Sequence, residues 1–372
     1  MRIAIVCPYS CTMPGGVQSQ VLGLARALRS RGDDVAVVAP AEGTGTPGRL
    51  DPIALDGAAF IKVGAGTAVS VNGSRAPVSP WPATMWRTVS ALHDFAPEVV
   101  HVHEPFVPGP SLAAVIAGPR PIVGTFHRSG ADLAYRAYGH VVGAWSRRLD
   151  AAFAVSEEAS ATAQACLGGL SNRVGIIRNG VEVLRFASAD AWPTSAPTVA
   201  FVGRHEARKG LEVLLEAFGS LPESTHLWVL GDGPETKRLR SRFASDARIE
   251  WLGPVDDEER ASRLAGADVF VAPSLGGESF GVVLLEAMAA GTAVVASDLP
   301  GYQLAAGRAA RFVPAGDRVA LAQAVRALLL DDAEREALSD RGRERASECD
   351  MGAIAAMYRD AYVRLGRAAR SG

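Results

Sequence analysis

The sequence has no marked charge imbalance, few cysteines and no common metal-binding pattern. Its formal net charge is -2 over 372 residues, so the composition does not favour nucleic acid as a partner. The four cysteines, Cys7, Cys11, Cys166 and Cys349, are scattered, and the spacing of the first two is not that of a common zinc site. We interpret all four as free thiols in a reducing compartment.

Long apolar runs are also missing. A membrane-spanning helix needs about 20 consecutive apolar residues, and the sequence contains no such run free of charge. Residues 3–6 form a short apolar strand at the N-terminus, without the charged region and long apolar block of a signal peptide. We therefore expect a cytoplasmic protein that is at most peripheral to a membrane.

The chain instead alternates short apolar strands with helices, which predicts an α/β fold. A strand at residues 3–7, a glycine loop, a helix from about Val17 and a strand at 35–39 form a βαβ unit of a parallel sheet. The loop lacks full GxGxxG spacing, which disfavours a nicotinamide dehydrogenase, and a plain tight turn is the alternative to a phosphate-binding loop.

The length suits two domains better than one. We predict an N-terminal doubly wound domain over residues 1–178 and a second one over 179–352, in which 179–197 serves as the linker. The helical segment 353–372 is expected to pack back on the first domain.

The most informative stretch is residues 276–286, Gly-Gly-Glu-Ser-Phe-Gly-Val-Val-Leu-Leu-Glu. We predict a helix over 280–290 and expect Glu278 and Glu286, eight residues apart, to share one face. The amides of Ser279, Phe280 and Gly281 would form an anion site at the helix start. Such a site suits a nucleotide-sugar, although a capping role for Glu278 and a solvated Glu286 are the plain alternative.

Two other segments carry candidate site residues. Arg204, Arg208 and Lys209 lie in the loop after the strand that starts at Thr198, where they could neutralise a diphosphate or simply be solvated. His127 ends a strand at the edge of the sheet where ligands bind, which favours a direct role. A core or supporting role is predicted for the histidines at 101 and 103.

Several motifs together resemble the GT4 family of retaining glycosyltransferases, whose GT-B fold has two doubly wound Rossmann-like domains facing a cleft. The resemblance extends over essentially the whole chain and is strongest to the phosphatidylinositol mannosyltransferases of actinobacteria. The motifs are Val6-Cys7-Pro8-Tyr9-Ser10, Pro14-Gly15-Gly16-Val17-Gln18-Ser19, His103-Glu104-Pro105, Thr125-Phe126-His127, Arg208-Lys209-Gly210, the stretch 275–281 and Glu286-Ala287-Met288-Ala289-Ala290-Gly291-Thr292.

The resemblance implies transfer of mannose from GDP-mannose to an inositol hydroxyl of phosphatidylinositol, with retention by a front-face route or a covalent intermediate. It implies catalytic roles for His127, Arg204, Lys209 and Glu278. The implied donor-binding residues are Gly15, Gly16, Val255, Arg260, Ser279, Phe280, Gly281, Val282 and Glu286. The implied acceptor-binding residues are Tyr9, Gln18, Asn72, Arg75 and Arg128. Because Arg204 and Lys209 would take the place of a metal cation and no Asp-x-Asp signature is present, we expect no essential metal and no other cofactor.

The acceptor side departs from the family pattern. The helix over residues 83–95 has Arg87 alone where the lipid enzymes have a basic cluster, with Trp81 and Trp86 as candidate anchors for the inner face of the plasma membrane. These departures leave a soluble polyol or another glycolipid as the alternative acceptor. A UDP-sugar is the alternative donor, because contacts to the base in such sites are often made by backbone. A nucleotide-sugar epimerase is a weaker hypothesis, because it would need a general-base pair for C2 and has no acceptor groove. A non-catalytic sugar-binding module would leave the Arg204 and Lys209 pair unexplained, because holding a diphosphate leaving group is useful mainly for cleavage of the glycosidic bond.

Overall fold

The computed structural model describes residues 1–13, 15–42, 55, 57–71, 74–130, 133–167, 170 and 174–371. The chain divides into two compact units, one formed by Met1–Gly180 with Met351–Gly372 and the other by Val181–Asp350. Each unit is built on a parallel β-sheet with helices, which confirms the predicted α/β class. Within the described part of the chain, no helix is long and apolar enough to cross a membrane.

Unit 1 contains a seven-stranded sheet in the order β3-β2-β1-β6-β7-β8-β9 and a separate antiparallel hairpin, β4-β5. The strands are β1 (Arg2–Val6), β2 (Asp34–Ala39), β3 (Ala59–Lys62), β4 (Thr67–Val71), β5 (Ser74–Val78), β6 (Val99–His103), β7 (Ile122–Phe126), β8 (Ala151–Ala154) and β9 (Val174–Ile176). The order reverses beside β1, which pairs in parallel with both β2 and β6. Ligands of doubly wound sheets bind near such a reversal, at the carboxyl ends of the strands.

The helices of unit 1 cover this sheet. They are α1 (Gly16–Ser30), α2 (Pro82–Phe95), α3 (Pro110–Ala117), α4 (Leu133–Val142) and α5 (Glu157–Cys166), with a 3₁₀ helix at Gly143–Arg148. Helix α1 buries Val21, Leu24 and Leu28 against the sheet, as its apolar spacing predicts.

Unit 2 contains a six-stranded parallel sheet in the order β12-β11-β10-β13-β14-β15. Its strands are β10 (Thr198–Val202), β11 (His226–Leu230), β12 (Ile249–Gly253), β13 (Val269–Ala272), β14 (Ala293–Ser297) and β15 (Arg311–Val313). Its helices are α6 (Val183–Ala187), α7 (Leu211–Phe218), α8 (Thr236–Arg242), α9 (Asp257–Gly266), α10 (Val282–Ala289), α11 (Pro300–Ala306), α12 (Arg318–Leu330) and α13 (Asp332–Glu348), with a 3₁₀ helix at Ala207–Lys209.

The segment 179–197 is not a simple linker, so that prediction was wrong. Helix α6 lies within it, and Val181 and Phe186 are buried in the core of unit 2. Helix α6 has only five residues, which is too short for a helical period to be recognised in the sequence.

The last helix, α14 (Met351–Ser371), belongs to unit 1. Tyr358 and Tyr362 are buried in the core beside β1 and β2. Arg359 adds an ion pair of 2.8 Å from its Nε atom to the Oδ2 atom of Asp33, whose side chain is fully buried. The C-terminal helix thus completes the core of the first unit.

Candidate active site

The loop between β13 and α10 is built around glycines. Gly277 and Gly281 have positive φ angles of 73° and 95°, a conformation that other residues rarely adopt. Gly281 is the N-cap of α10, and a Cβ atom there would lie 2.5 Å from the ring of Tyr302. Among the described residues, none accepts a hydrogen bond from the backbone amides of residues 279–283. This run of amides at a helix N-terminus is suited to an anion.

Glu278 lies in this loop, beside the amides, and its side chain is 10% exposed. Its Oε1 atom is 2.7 Å from Nζ of Lys209 and 3.1 Å from Nη1 of Arg208. It also accepts a 3.0 Å hydrogen bond from the hydroxyl of Ser274, which lies 2.7 Å from the hydroxyl of Tyr302. The carboxylate is therefore held on one oxygen by two cations and a buried hydroxyl.

The loop after β10 supplies these cations. Glu206, which is 5% exposed, accepts Nε of Arg204 on one oxygen and Nε of Arg208 on the other, each at 3.2 Å. Gly210 follows in a left-handed conformation, and a Cβ atom there would lie 1.9 Å from the carbonyl oxygen of Pro273. The absence of that Cβ lets the two loops approach closely, so that Lys209 reaches Glu278.

Glu286 is part of a different cluster. It is buried on α10, and its Oε1 atom is 3.4 Å from Nη2 of Arg260, which is 3.0 Å from Oδ1 of Asp257. Burial raises the pKa of the Glu286 carboxyl, and the charge of Arg260 opposes that rise. Val255 precedes α9, the helix that carries Arg260, and packs partly buried against the core that α10 also joins.

The predicted relation between Glu278 and Glu286 was wrong in its geometry. Helix α10 spans Val282–Ala289, shorter than the expected 280–290, and Glu278 precedes its N-cap. Helical periodicity therefore cannot place the two carboxylates on one face. The glycine loop, not the helix, orients Glu278, whereas Phe280 is buried and anchors the loop in the core.

In unit 1, the glycine loop precedes α1. A Cβ atom at Gly15 would lie 2.3 Å from the side-chain oxygen of Gln18, whereas one at Gly16 would meet no atom within 4 Å. Gln18 is buried and donates to the carbonyl of Ser10 at 3.3 Å, and Tyr9 forms a β-bridge with Val78. Gly16 is thus the open position of this loop.

His127 follows β7 and is 6% exposed. Its Nε2 atom lies 2.8 Å from Nδ1 of His103, and Asn179 forms a side-chain hydrogen bond with it. Burial lowers the pKa of His127 to about 4, so the ring is neutral near neutral pH. The ring is therefore held inside unit 1, in contact with the end of β6.

His101 and His103 are both buried, as the predicted core role requires. The ring of His101 lies between the hydroxyls of Thr125, at 2.7 Å, and Tyr362, at 2.6 Å. Its centroid is 4.5 Å from that of His103. Burial lowers the pKa of His101 to about 3 and that of His103 well below its usual value.

The remaining candidates for binding the acceptor are Arg128, Arg75 and Asn72. Arg128 donates from Nε to the carbonyl of Gly130 at 3.1 Å. Arg75 lies on β5, opposite Ser70, and Asn72 lies outside the described residues.

Sequence reasoning assigned no role to four buried residues that contact the candidates, namely Glu206, Ser274, Tyr302 and Glu104. Glu206 stood between two of the predicted cations, and that spacing was the one signal that could have identified it. Ser274 and Tyr302 are far apart in sequence and carry no pattern of their own.

The fold of the chain is similar to that of solved glycosyltransferase structures over nearly its whole length. The chain superposes on sucrose-phosphate synthase from Thermosynechococcus elongatus with a TM-score of 0.76 and 22% identity, covering 98% of this chain and 99% of that one. It superposes on Anabaena HepE in complex with UDP-glucose with a TM-score of 0.74 and 18% identity, covering 98% and 99%. The two parallel α/β units thus define a GT-B architecture.

Sequence comparison gives the family. Residues 14–185 match the model described as Glycosyltransferase Family 4, and residues 196–331 match that described as Glycosyl transferases group 1. The chain is 38% identical to the phosphatidyl-myo-inositol mannosyltransferase of Mycolicibacterium smegmatis, over 97% of this chain and 93% of the relative. It is 40% identical to that of Mycobacterium leprae, over 97% and 96%. The chain belongs to glycosyltransferase family 4.

Proposed function

We propose that this protein transfers mannose from GDP-mannose to an inositol hydroxyl of phosphatidylinositol, with retention at the anomeric carbon. The hydroxyl oxygen forms a bond to C1 of mannose, the bond from C1 to the diphosphate breaks, and GDP leaves as the hydroxyl loses its proton. The identity of 38–40% over nearly the whole chain to relatives named phosphatidyl-myo-inositol mannosyltransferases supports mannose as the transferred sugar and phosphatidylinositol as the acceptor.

The observation that carries the proposal is the charge arrangement around the loop before α10. Consecutive amides from Ser279 onward have no partner among the described residues, and the Arg204 and Lys209 loop packs against the same segment. Amides and cations together would bind the diphosphate and stabilise the negative charge that develops on it as the glycosidic bond breaks. A module that only binds sugar would gain little from this arrangement.

The carboxylates of Glu278 and Glu286 would accept hydrogen bonds from hydroxyl groups of the donor. With the diphosphate bound, Lys209 would share its charge between phosphate and Glu278, whose outer oxygen would accept sugar hydroxyls. Glu286, kept in place by Arg260, would accept the ribose hydroxyls, and Val255 would contact the nucleoside. In unit 1, the resemblance to the family assigns a phosphate-binding amide to Gly16, which is the open position of its loop.

Unit 1 supplies the acceptor side. His127 would act on the sugar, with Tyr9, Gln18, Arg75 and Arg128 around the inositol phosphate. Because His127 is neutral and buried, it would serve as a hydrogen-bonding group rather than as a cation.

Helix α2 suits contact with an anionic membrane by burial of aromatic rings more than by charge. Trp81 and Trp86 are 57% and 71% exposed at its N-terminal half. Tryptophan is favoured at the membrane interface, whereas each basic residue adds only about 1 kcal/mol near an anionic surface. Arg87 alone therefore gives weak attraction, and the two tryptophans would supply the rest.

The test is a transfer assay with labelled GDP-mannose, phosphatidylinositol vesicles and purified protein, with UDP-glucose in parallel. Label in the lipid from GDP-mannose is the expected result. Release of free mannose without labelled lipid would refute the acceptor and lead to soluble polyols. Turnover of UDP-glucose alone would refute the donor.

A further inference from the structure

Glu104 has an unusual backbone conformation. It follows β6, its φ angle is 46°, and Pro105 comes next in the chain. A positive φ brings Cβ of an L-residue close to its own carbonyl, and a following proline restricts the backbone further. Such strain persists where surrounding contacts fix the residue, and it is concentrated at functional sites.

The side chain of Glu104 makes the contacts that fix it. It is 5% exposed, and its Oε1 atom accepts the backbone amide of His127 at 2.7 Å. It also accepts the backbone amide of Arg128. The amide of Glu104 itself donates to the carbonyl of Thr125 at 2.8 Å. Backbone and side chain of one residue thus hold the end of β7 and the two residues after it.

A carboxylate is well suited to this task. The amides of His127 and Arg128 lie beyond the last residue of β7, where buried amides need another acceptor. A carboxylate has two acceptor oxygens and no donor, so it can take both amides at once. A glutamine of the same shape has one acceptor oxygen instead of two and an uncharged side chain, so it holds two amides less well.

We propose that Glu104 is a positioning residue for glycosyl transfer, which clamps the peptide segment 127–128 and so directs the side chains of His127 and Arg128. The inference rests on the proposed function in that it assigns His127 and Arg128 to the transfer site. The clamp itself is a physical property that can be measured without any substrate.

Titration of Glu104 gives the clamp a pH dependence. Burial raises the pKa of its carboxyl to about 6, against the two amide hydrogen bonds and the charge of Arg128. The titratable neighbours at the adjoining strand ends, His103 and His127, have pKa values lowered by burial and stay neutral at that pH. Protonation would put an O–H group against an amide, so the clamp should loosen as pH falls through about 6.

The first experiment measures hydrogen exchange in full-length wild type and Glu104→Gln at pH 7.5, with no substrate present. At least one of the amides of His127 and Arg128 should exchange about 10-fold faster in the variant, as expected for loss of one hydrogen bond. Glu157→Gln on α5, an exposed glutamate, is the matched control and should leave these amides unchanged. Unchanged exchange in Glu104→Gln would overturn the inference.

The second experiment is a double-mutant cycle in the transfer assay. Glu104→Gln should lower kcat about 10-fold with little change in KM for the donor, and should cost much less than 10-fold when combined with His127→Ala. The wild-type kcat should fall below an apparent pKa near 6, and this limb should be missing in the variant. Independent, multiplicative losses from the two substitutions would contradict the positioning role.

The two experiments separate this inference from the proposed function. Faster exchange in a protein that transfers no mannose would refute the proposed function and leave the clamp standing. If Glu104→Gln lowers the melting temperature, the same exchange measurement is made on Glu104→Asn, which should also exchange faster at these amides. Asparagine tolerates a positive φ but is one methylene too short to reach the amides.

Discussion

Nζ of Lys209 lies 2.7 Å from Oε1 of Glu278. One partner comes from the loop after β10 and the other from the loop before α10, so this ion pair joins the two loops that form the candidate donor site. Both side chains are largely buried, with exposures of 21% and 10%, and the pair is therefore sensitive to loss of either partner.

Glu278→Ala should abolish transfer while the fold survives. The substitution removes the carboxylate that faces Lys209, Arg208 and Ser274, and loss of one preorganised group of this kind costs about 100-fold or more in kcat. Steady-state kinetics and a melting curve check the two halves of the prediction. Glu336→Gln on α13, an exposed glutamate, is the control, and near-wild-type activity of Glu278→Ala would refute its assigned role.

Lys209→Ala should lower kcat/KM about 100-fold, because it removes a cation from the diphosphate. We further expect no effect of EDTA on the wild-type rate, since Arg204 and Lys209 would provide the charge that a divalent ion provides elsewhere. The exposed Lys237, substituted by alanine, is the matched control. A rate that drops in EDTA and recovers with added Mg²⁺ would show that the cations are insufficient.

Tyr302→Phe should weaken the support of Glu278 without changing the shape of the core. The Tyr302 hydroxyl lies 2.7 Å from that of Ser274, which donates to Glu278, and loss of one such hydrogen bond costs about 1 kcal/mol. We expect kcat about 5-fold lower, with Ser274→Ala giving a similar loss. The double variant should be no worse than the worse single variant, and additive losses would argue against a shared path.

Stability should fall as pH is lowered from 6.5 towards 4. Burial lowers the pKa of His101 to about 3 and that of His127 and His205 to about 4, and lowers that of His103 as well. Groups with a lowered folded pKa take up protons on unfolding, so their contribution is present above the unfolded pKa of 6.5 and lost below it.

Two glutamates oppose this trend. Glu104, with a pKa of about 6, and Glu286, with a raised pKa, take up protons in the folded state. Four histidines against two carboxyls leave a net loss of stability, at about 1.4 kcal/mol per pH unit for each uncompensated proton. Urea titrations at a series of pH values measure the free energy of unfolding. A free energy that does not change between pH 6.5 and 5 would contradict the buried neutral histidines.

Trp81→Ala with Trp86→Ala should weaken binding to phosphatidylinositol vesicles by about 10-fold or more, because aromatic rings at the interface supply much of the binding energy of such helices. Vesicle co-sedimentation at two salt concentrations is the measurement, and the remaining binding should depend more on salt. Leu184→Ala is the control, since this side chain is 81% exposed in unit 2. Unchanged binding of the double variant would remove α2 from the membrane contact.

The sequence alone predicted the α/β class and most of the elements. Strands and helices have different hydrophobic periods, and each period can be recognised within a short stretch of sequence. It also located the Glu278 loop, since the glycines at 277 and 281 are needed for backbone conformations that other residues avoid. The same local reasoning failed where periodicity was extended through a loop, as for the shared face of Glu278 and Glu286.

The tertiary structure decided what surrounds each candidate. Tyr302 and Ser274 are 28 residues apart, Glu104 and His127 are 23 apart, and Tyr362 is 261 residues from His101. Hydrogen bonds between such residues depend on which strands and helices lie side by side, and a single polar residue adds no periodic pattern to the sequence. The residues that carry chemistry could therefore be proposed from the sequence, whereas the residues that hold them appeared only in the folded chain.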